Sequence, residues 1–280
     1  MTPLGFILVT FAASLVAGAI GSLLGVGGGI IVVPVLSLVF GIDIRLAIGA
    51  SLVSIIATSS GAAAAYVRER MTNLRVAMLL EVGTTAGALC GATLAAHISG
   101  RWLFVLFGLM LGYSALAMLR KRQEHADPAS APPDAWADKL QLHGSYFDRA
   151  VQREIPYRVT RAKLALAIMF VAGVASGLLG IGSGILKVPS MDLLMRLPIK
   201  VSTATSNFMI GVTGAAGAGI YFARGDINPF IAAPVACGVL IGATAGSKLL
   251  GRLHSRRIRV AFVVVLLWAS AQMLWKGVRW

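Results

Sequence analysis

The sequence predicts an all-α integral membrane protein built as two inverted repeats of about five membrane segments each, with short half-helices broken by glycine and proline. Three observations carry that expectation. The 280 residues have a mean hydropathy of +0.82, are 57% hydrophobic and are only 13% charged, where a soluble domain would be about a quarter charged. The charges gather in short clusters between long apolar runs, as they must when lipid is the main solvent. Lastly, one glycine-rich stretch occurs twice: GAIGSLLGVGGGIIVVP, from Gly18 to Pro34, returns at an offset of 155 residues as GVASGLLGIGSGILKVP, from Gly173 to Pro189. Nine of the seventeen positions are identical. The same offset lays Ser51 on Ser206, Tyr66 on Tyr221, Asn73 on Asn228, Arg101 on Arg256, and Gly83, Gly87 and Gly91 on Gly238, Gly242 and Gly246. Self-similarity of this kind is an internal duplication.

In the first half the apolar segments cover about 4–24, 28–41, 46–66, 75–97 and 101–119; in the second they cover about 162–181, 185–197, 201–222, 228–250 and 259–276. Four in each half have the roughly 20 residues that a bilayer requires. The remaining one, carrying Pro34 or Pro189, is too short to span comfortably as a single straight helix. Residues 1–5 carry no charged side chain, so the first run reads as a retained membrane segment rather than a signal peptide. The chain thus divides into a first membrane repeat (1–119), a connector (120–161) and a second membrane repeat (162–280). The connector is the one stretch of soluble character. Its Trp136, Leu140, Leu142, Tyr146 and Phe147 fit a short amphipathic helix on the membrane surface, and a disordered linker is the competing reading.

Orientation follows from the basic residues. Residues 120–163 hold nine Lys or Arg, which places the connector in the cytoplasm. Arg68, Arg70 and Arg75 in one loop, and Arg252, Arg256, Arg257 and Arg259 in another, want the same side. These loops are not equivalent under the repeat offset. Both reach the cytoplasm only if the halves insert in opposite senses, with an odd number of crossings each and both termini outside. The alternative is eight full helices plus two re-entrant elements related by a parallel repeat. The net charge of +14 is accounted for by this topology signal, so no nucleic-acid partner is expected. Cys90 and Cys237 fall inside apolar segments and read as small packing residues, without a disulfide framework or zinc site.

The candidate substrate groups centre on the two bends: Gly25, Gly27, Gly28, Gly29 and Pro34 in the first copy, and Gly180, Gly182, Ser183, Gly184 and Pro189 in the second. Glycine disfavours regular helix and lets backbone approach a ligand closely, while irregular backbone at membrane depth is tolerated only against protein or a wet cavity. A broken pair of half-helices with amide donors aimed at an anion satisfies both conditions. Tight helix packing is the competing reading for glycines in general, and the better one for Gly83, Gly87 and Gly91. Lys187 stands where the first copy has Val32. An ionisable group inside a membrane segment marks a functional site by default, with snorkelling to the interface as the alternative. Glu81 is a proton-coupling candidate, or else the partner of Arg75 or Arg101. Asp192 reads as a partner of Lys187 or Arg196. Ser51, Thr205, Ser206 and Asn207 offer neutral hydrogen bonds that could strip water from an oxyanion or equally bond across helices. No metal ligands at helical spacing, nucleophile elbow or cofactor motif is present, so neither an enzyme nor a cofactor is expected.

The twin motif from Gly18 to Leu36, its echo from Gly173 to Met191, and the Ala50-Ser51 and Thr205-Ser206-Asn207 stretches resemble the TauE/SafE sulfite exporter family. The resemblance covers roughly residues 8–275. It implies a multi-pass plasma-membrane transporter of sulfite, organosulfonates or related small sulfur-containing anions, working without ATP hydrolysis. The chain departs from a symmetrical motif at Ser183 and Lys187, and its connector is long. The expected function is export of such an anion coupled to protons or membrane potential. Its partners are the anion and the bilayer, with a homodimer left open. The alternatives are a membrane-embedded enzyme or maturation factor that docks through the connector, and a passive anion channel.

Overall fold

The computed structural model describes residues 2–24, 27–119, 134–148, 152–249 and 255–279. The first half comprises α1 (Pro3–Leu24), α2 (Gly29–Pro34), α3 (Ile44–Arg68), α4 (Leu74–His97) and α5 (Gly100–Leu119). The connector contributes α6 (Ala135–Lys139) and an antiparallel hairpin of β1 (Gly144–Asp148) and β2 (Arg153–Tyr157). The second half comprises α7 (Ala162–Leu179), α8 (Gly184–Pro189), α9 (Ile199–Ala223), α10 (Pro229–Leu249) and α11 (Ser255–Arg279). Among the described residues, six helices are long and apolar enough to cross a membrane, and the protein is an all-α membrane protein carrying one small hairpin.

Both short segments have the same construction. α2 and α8 each end on their proline and continue through a wider π-helical turn, Val35–Val39 and Ser190–Leu194. Proline has no N–H and its ring crowds the carbonyl four residues back. The helix relaxes by widening, so that Phe40 N bonds Val35 O and Met195 N bonds Ser190 O. The first short segment doubles back along α1: Gly27 N bonds Gly21 O, and Phe40 packs edge-on against Phe6 with ring centroids 5.0 Å apart.

Contacts between helices fix their senses. Gly238, Gly242 and Gly246 meet Phe11, Leu15 and Ala19 in rising order, so α10 runs parallel to α1. Gly49 meets Asp226 and Gly61 meets Leu240, so α3 is parallel to α10 as well. Gly83, Gly87 and Gly91 meet Leu166, Phe170 and Val174, making α4 parallel to α7. Asn73, Glu81 and Ala92 bond Thr205, Thr213 and Arg224, which sets α9 parallel to α4. By contrast α3 opposes α9 (Ser59 at Gly211, Leu52 at Gly217), and α5 opposes α11 (Gly108 at Leu274, Gly112 at Ser270). The long helices α1, α3, α4 and α5 therefore run opposite to their counterparts 155 residues later. Since α1 and α3 point the same way, the chain between them returns along the depth of the protein.

Glycine makes these pairings close. A methyl group at Gly87 or Gly91 would fall on the Phe170 or Val174 carbonyl, and one at Gly242 on that of Leu15, so these glycines are packing residues. Helix ends inside the protein need partners for their last carbonyls. Tyr66 Oη donates to Ser22 O near the end of α1, and its repeat mate Tyr221 donates to Leu178 O near the end of α7. Cys90 and Cys237 lie exposed on outer helix faces, not in the packed interior expected of them.

The connector is neither a lone surface helix nor a disordered linker over the residues described, and residues 120–133 lie outside them. Leu142, Tyr146 and Tyr157 are buried with Val76, Leu80, Met191, Met195, Leu197 and Val201, forming a roof over the ends of α4, α9 and the second short segment. Leu140 and Phe147 remain exposed. Asn73 Nδ2 donates to Leu142 O and Tyr157 Oη, Thr160 bonds Leu194 O and Met195 O, and Arg75 holds Gln141. Asp134 accepts from Trp136 N and Ala137 N to start α6, and from Ala162 N to tie it to α7. Desolvation works against its charge, but these backbone donors outweigh it and hold the carboxyl below the usual carboxylate range. Burial pushes the Tyr157 hydroxyl the other way, upward.

Candidate functional site

The two glycine bends meet at the centre of the bundle. Gly27 and Gly182 adopt left-handed backbone (φ 82° and 71°), conformations that side chains other than glycine rarely tolerate. Each faces the same two residues, Ile55 and Ile210, which are themselves repeat mates. Ser51 Oγ donates to Gly180 O at 2.5 Å, and Gly29 stands against that carbonyl. Gly28 N bonds Thr58 Oγ1 at 3.4 Å. Gly25 lies outside the described residues. Ile55 and Ile210, both buried, close the junction of the bends with an apolar seal.

Beside this seal is a buried polar chain. Lys187 in α8 is fully buried, and its Nζ donates to Thr213 Oγ1 of α9 at 2.6 Å. That hydroxyl lies 2.7 Å from Glu81 Oε1 of α4, which also accepts from Thr85 Oγ1 at 3.1 Å. Two residues singled out in the sequence, far apart in the chain, are thus joined through a third that was not. Lys187 does not snorkel, and Glu81 is held by threonines, while Arg75 is engaged with Gln141. Thr213 left one trace in the sequence, its identity with Thr58 at the repeat offset. Taken alone it reads as an ordinary helical threonine, and it does bond Met209 O one turn back.

On the elements that carry this chain and the two bends, several buried atoms lack a partner among the described residues: Glu81 Oε2, Ser183 Oγ, Ser190 Oγ, and both Oδ1 and Nδ2 of Asn207. Buried polar groups are ordinarily bonded, so these atoms stand out among the described residues. The remaining candidates fall in three groups. Gly180, Ser183 and Gly184 lie on the second bend, with Ser183 left-handed (φ 50°). Pro34 and Pro189 stand at the ends of α2 and α8 and act on helix width. Thr205 is committed to Asn73 N, Ser206 is buried, and Asp192 is buried one turn beyond Lys187. At the end of the bundle opposite the connector, a recess of about 850 Å³ opens between Leu38, Ile44, Phe104, Trp275 and Lys276. There Lys276 Nζ bonds Ser37 O at 2.8 Å.

The family model described as "Sulfite exporter TauE/SafE" matches residues 10–273. Among curated proteins, the chain is 30% identical over 272 residues to the "Probable membrane transporter protein YunE" of Bacillus subtilis, covering 94% of this chain and 96% of that one. It is 28% identical to a "Probable membrane transporter protein" of Xylella fastidiosa, covering 99% and 98%, and 27% identical to YdhB of Bacillus subtilis, covering 86% and 88%. No solved structure matches.

Proposed function

The chain belongs to the sulfite exporter TauE/SafE family of multi-pass membrane transporters, and from that premise we propose that it moves a small sulfur-containing anion, sulfite or an organosulfonate, outward across the membrane as a secondary transporter. The observation that carries this reading is the position of Lys187: a fully buried ammonium beside the junction of two opposed glycine bends. Thr213 accepts one of its three N–H donors, and no other described group takes the remaining two. Glu81 balances that charge through Thr213, and the ammonium's remaining donors are suited to an oxyanion entering beside it. An oxyanion supplies the acceptors that these N–H groups lack.

The arrangement suits alternating access. The site lies between two halves of opposite sense, sealed at its centre by Ile55 and Ile210, roofed at one end by the connector and recessed at the other. Rocking one half against the other would transfer exposure from one face to the other about a fixed site.

The test is flux of labelled sulfite from proteoliposomes. Lys187→Ala is expected to lower it at least tenfold, and Lys187→Arg to preserve part of it. Unchanged flux in Lys187→Ala would remove the ammonium from the mechanism, and no sulfite or sulfonate flux in the wild type would remove the transport reading.

A further inference from the structure

We infer that the Lys187–Thr213–Glu81 chain makes anion binding proton-linked, so that each monovalent oxyanion docking on Lys187 brings one proton onto Glu81 and the two cross together. This deepens the transport reading above and rests on it. Three facts of the site lead there. Lys187 and Glu81 sit on different helices, and one hydroxyl joins them, accepting from the ammonium and lying 2.7 Å from the carboxylate. With the site empty, their charges offset each other. In addition, Glu81 spends only Oε1 on its threonine partners, while Oε2 is buried without one.

A monoanion that enters such a pocket leaves an uncompensated negative charge in a region poor in water, which is strongly unfavourable. Protonating Glu81 at Oε2 restores neutrality without breaking either Oε1 bond. The proton is taken from water on the side to which the site opens and returned to water on the other side. No covalent bond of the guest changes.

Few other groups on the neighbouring elements could take this role. The second short segment adds Asp192, one turn past Lys187 toward the connector roof. α9 carries no titratable side chain between Lys200 and Tyr221, and α7 none after Lys163. α4 itself adds Arg75, Cys90 and His97, which are exposed, and Arg75 is bonded to Gln141. The connector faces this end of α4 with Tyr146 and Tyr157. The duplication provides no second copy of the device: the offset puts Val32 at the place of Lys187 and Ala236 at that of Glu81.

The experiment uses purified full-length protein in liposomes with methanesulfonate as the probe, because this anion carries no proton of its own. Internal pH is read with an entrapped dye, and a potassium diffusion potential of either sign is applied. The expected result is one proton per anion, a flux that changes less than about twofold when the potential is reversed, and a binding affinity that rises tenfold per unit fall in pH, as linkage of a single proton requires. Glu81→Gln is expected to keep anion binding but lose the proton signal and its pH dependence, and its flux should then follow the potential. Thr213→Val should weaken the linkage and Thr213→Ser retain it. The wild-type stoichiometry alone decides the matter if a variant fails to fold. Anion flux that carries net charge, with no accompanying proton and no pH linkage, would overturn the coupling and leave the transport reading standing. Absence of flux for methanesulfonate and sulfite alike would remove the transport reading, and the coupling with it.

Discussion

Asn73 ties three elements together with one residue. Its Oδ1 caps α4 by accepting from Val76 N, its Nδ2 reaches Leu142 O and Tyr157 Oη, and its backbone N–H bonds Thr205 on α9. Truncation removes the cap and strands two buried connector acceptors, so Asn73→Ala is expected to cost about 2 kcal/mol. The connector should be the part released, read as faster proteolysis between residues 134 and 161 in the detergent-solubilised protein. At this scale the sequence was only partly readable. Lys187 announced itself, because an ammonium interrupts an apolar segment wherever it lies. Thr205 could be noticed but not interpreted, since a buried hydroxyl serves a neighbouring backbone as readily as a ligand. Thr213 gives no such signal, because nothing in its local sequence separates it from a threonine that only bonds its own helix.

The helices owe their pairing to stripes of glycine that repeat at helical spacing. Gly83, Gly87 and Gly91 let α4 lie backbone to backbone on α7, and Gly238, Gly242 and Gly246 do the same for α10 on α1. Gly87→Ala and Gly242→Ala should each lower stability by about 1–3 kcal/mol, the usual cost of overpacking. Gly219→Ala, where a methyl group meets nothing within 4 Å, should be neutral or slightly stabilising. Thermal unfolding of the three variants in one detergent separates these outcomes. This layer was legible, since period and residue size suffice to read a packing stripe. The hairpin of β1 and β2 was not. Its strands carry Asp148, Arg153 and Glu154 beside single buried tyrosines and show no alternation of apolar and polar residues. What holds them is docking onto helices distant in sequence, which no local pattern encodes.

At the scale of the whole molecule the duplication is read from the sequence itself, because an ungapped offset survives any divergence that keeps bends, prolines and packing glycines in place. The mutual approach of the bends followed from it. The apolar seal did not, for Ile55 and Ile210 look like every other aliphatic residue in their helices. The repeat also supplies a test that no single substitution offers. Moving the charged pair to its symmetry-related place, by combining Lys187→Val and Glu81→Ala with Val32→Lys and Ala236→Glu, sets the new ammonium and carboxylate where Thr58 replaces Thr213 as the link. Sulfite flux is expected to recover well above that of the Lys187→Val, Glu81→Ala protein. Recovery no better than that background would show that the two places are not equivalent.

Only one half bears the Lys187 ammonium, and the described part of the connector roofs one end of the bundle. A carrier made of two identical opposed copies would be energetically indifferent to which compartment it faced, since exchanging the copies would exchange the two conformations. Here that degeneracy is lifted twice, by a charge and by a lid. A carrier built this way is expected to rest facing one side, with its turnover in the two directions limited by different steps.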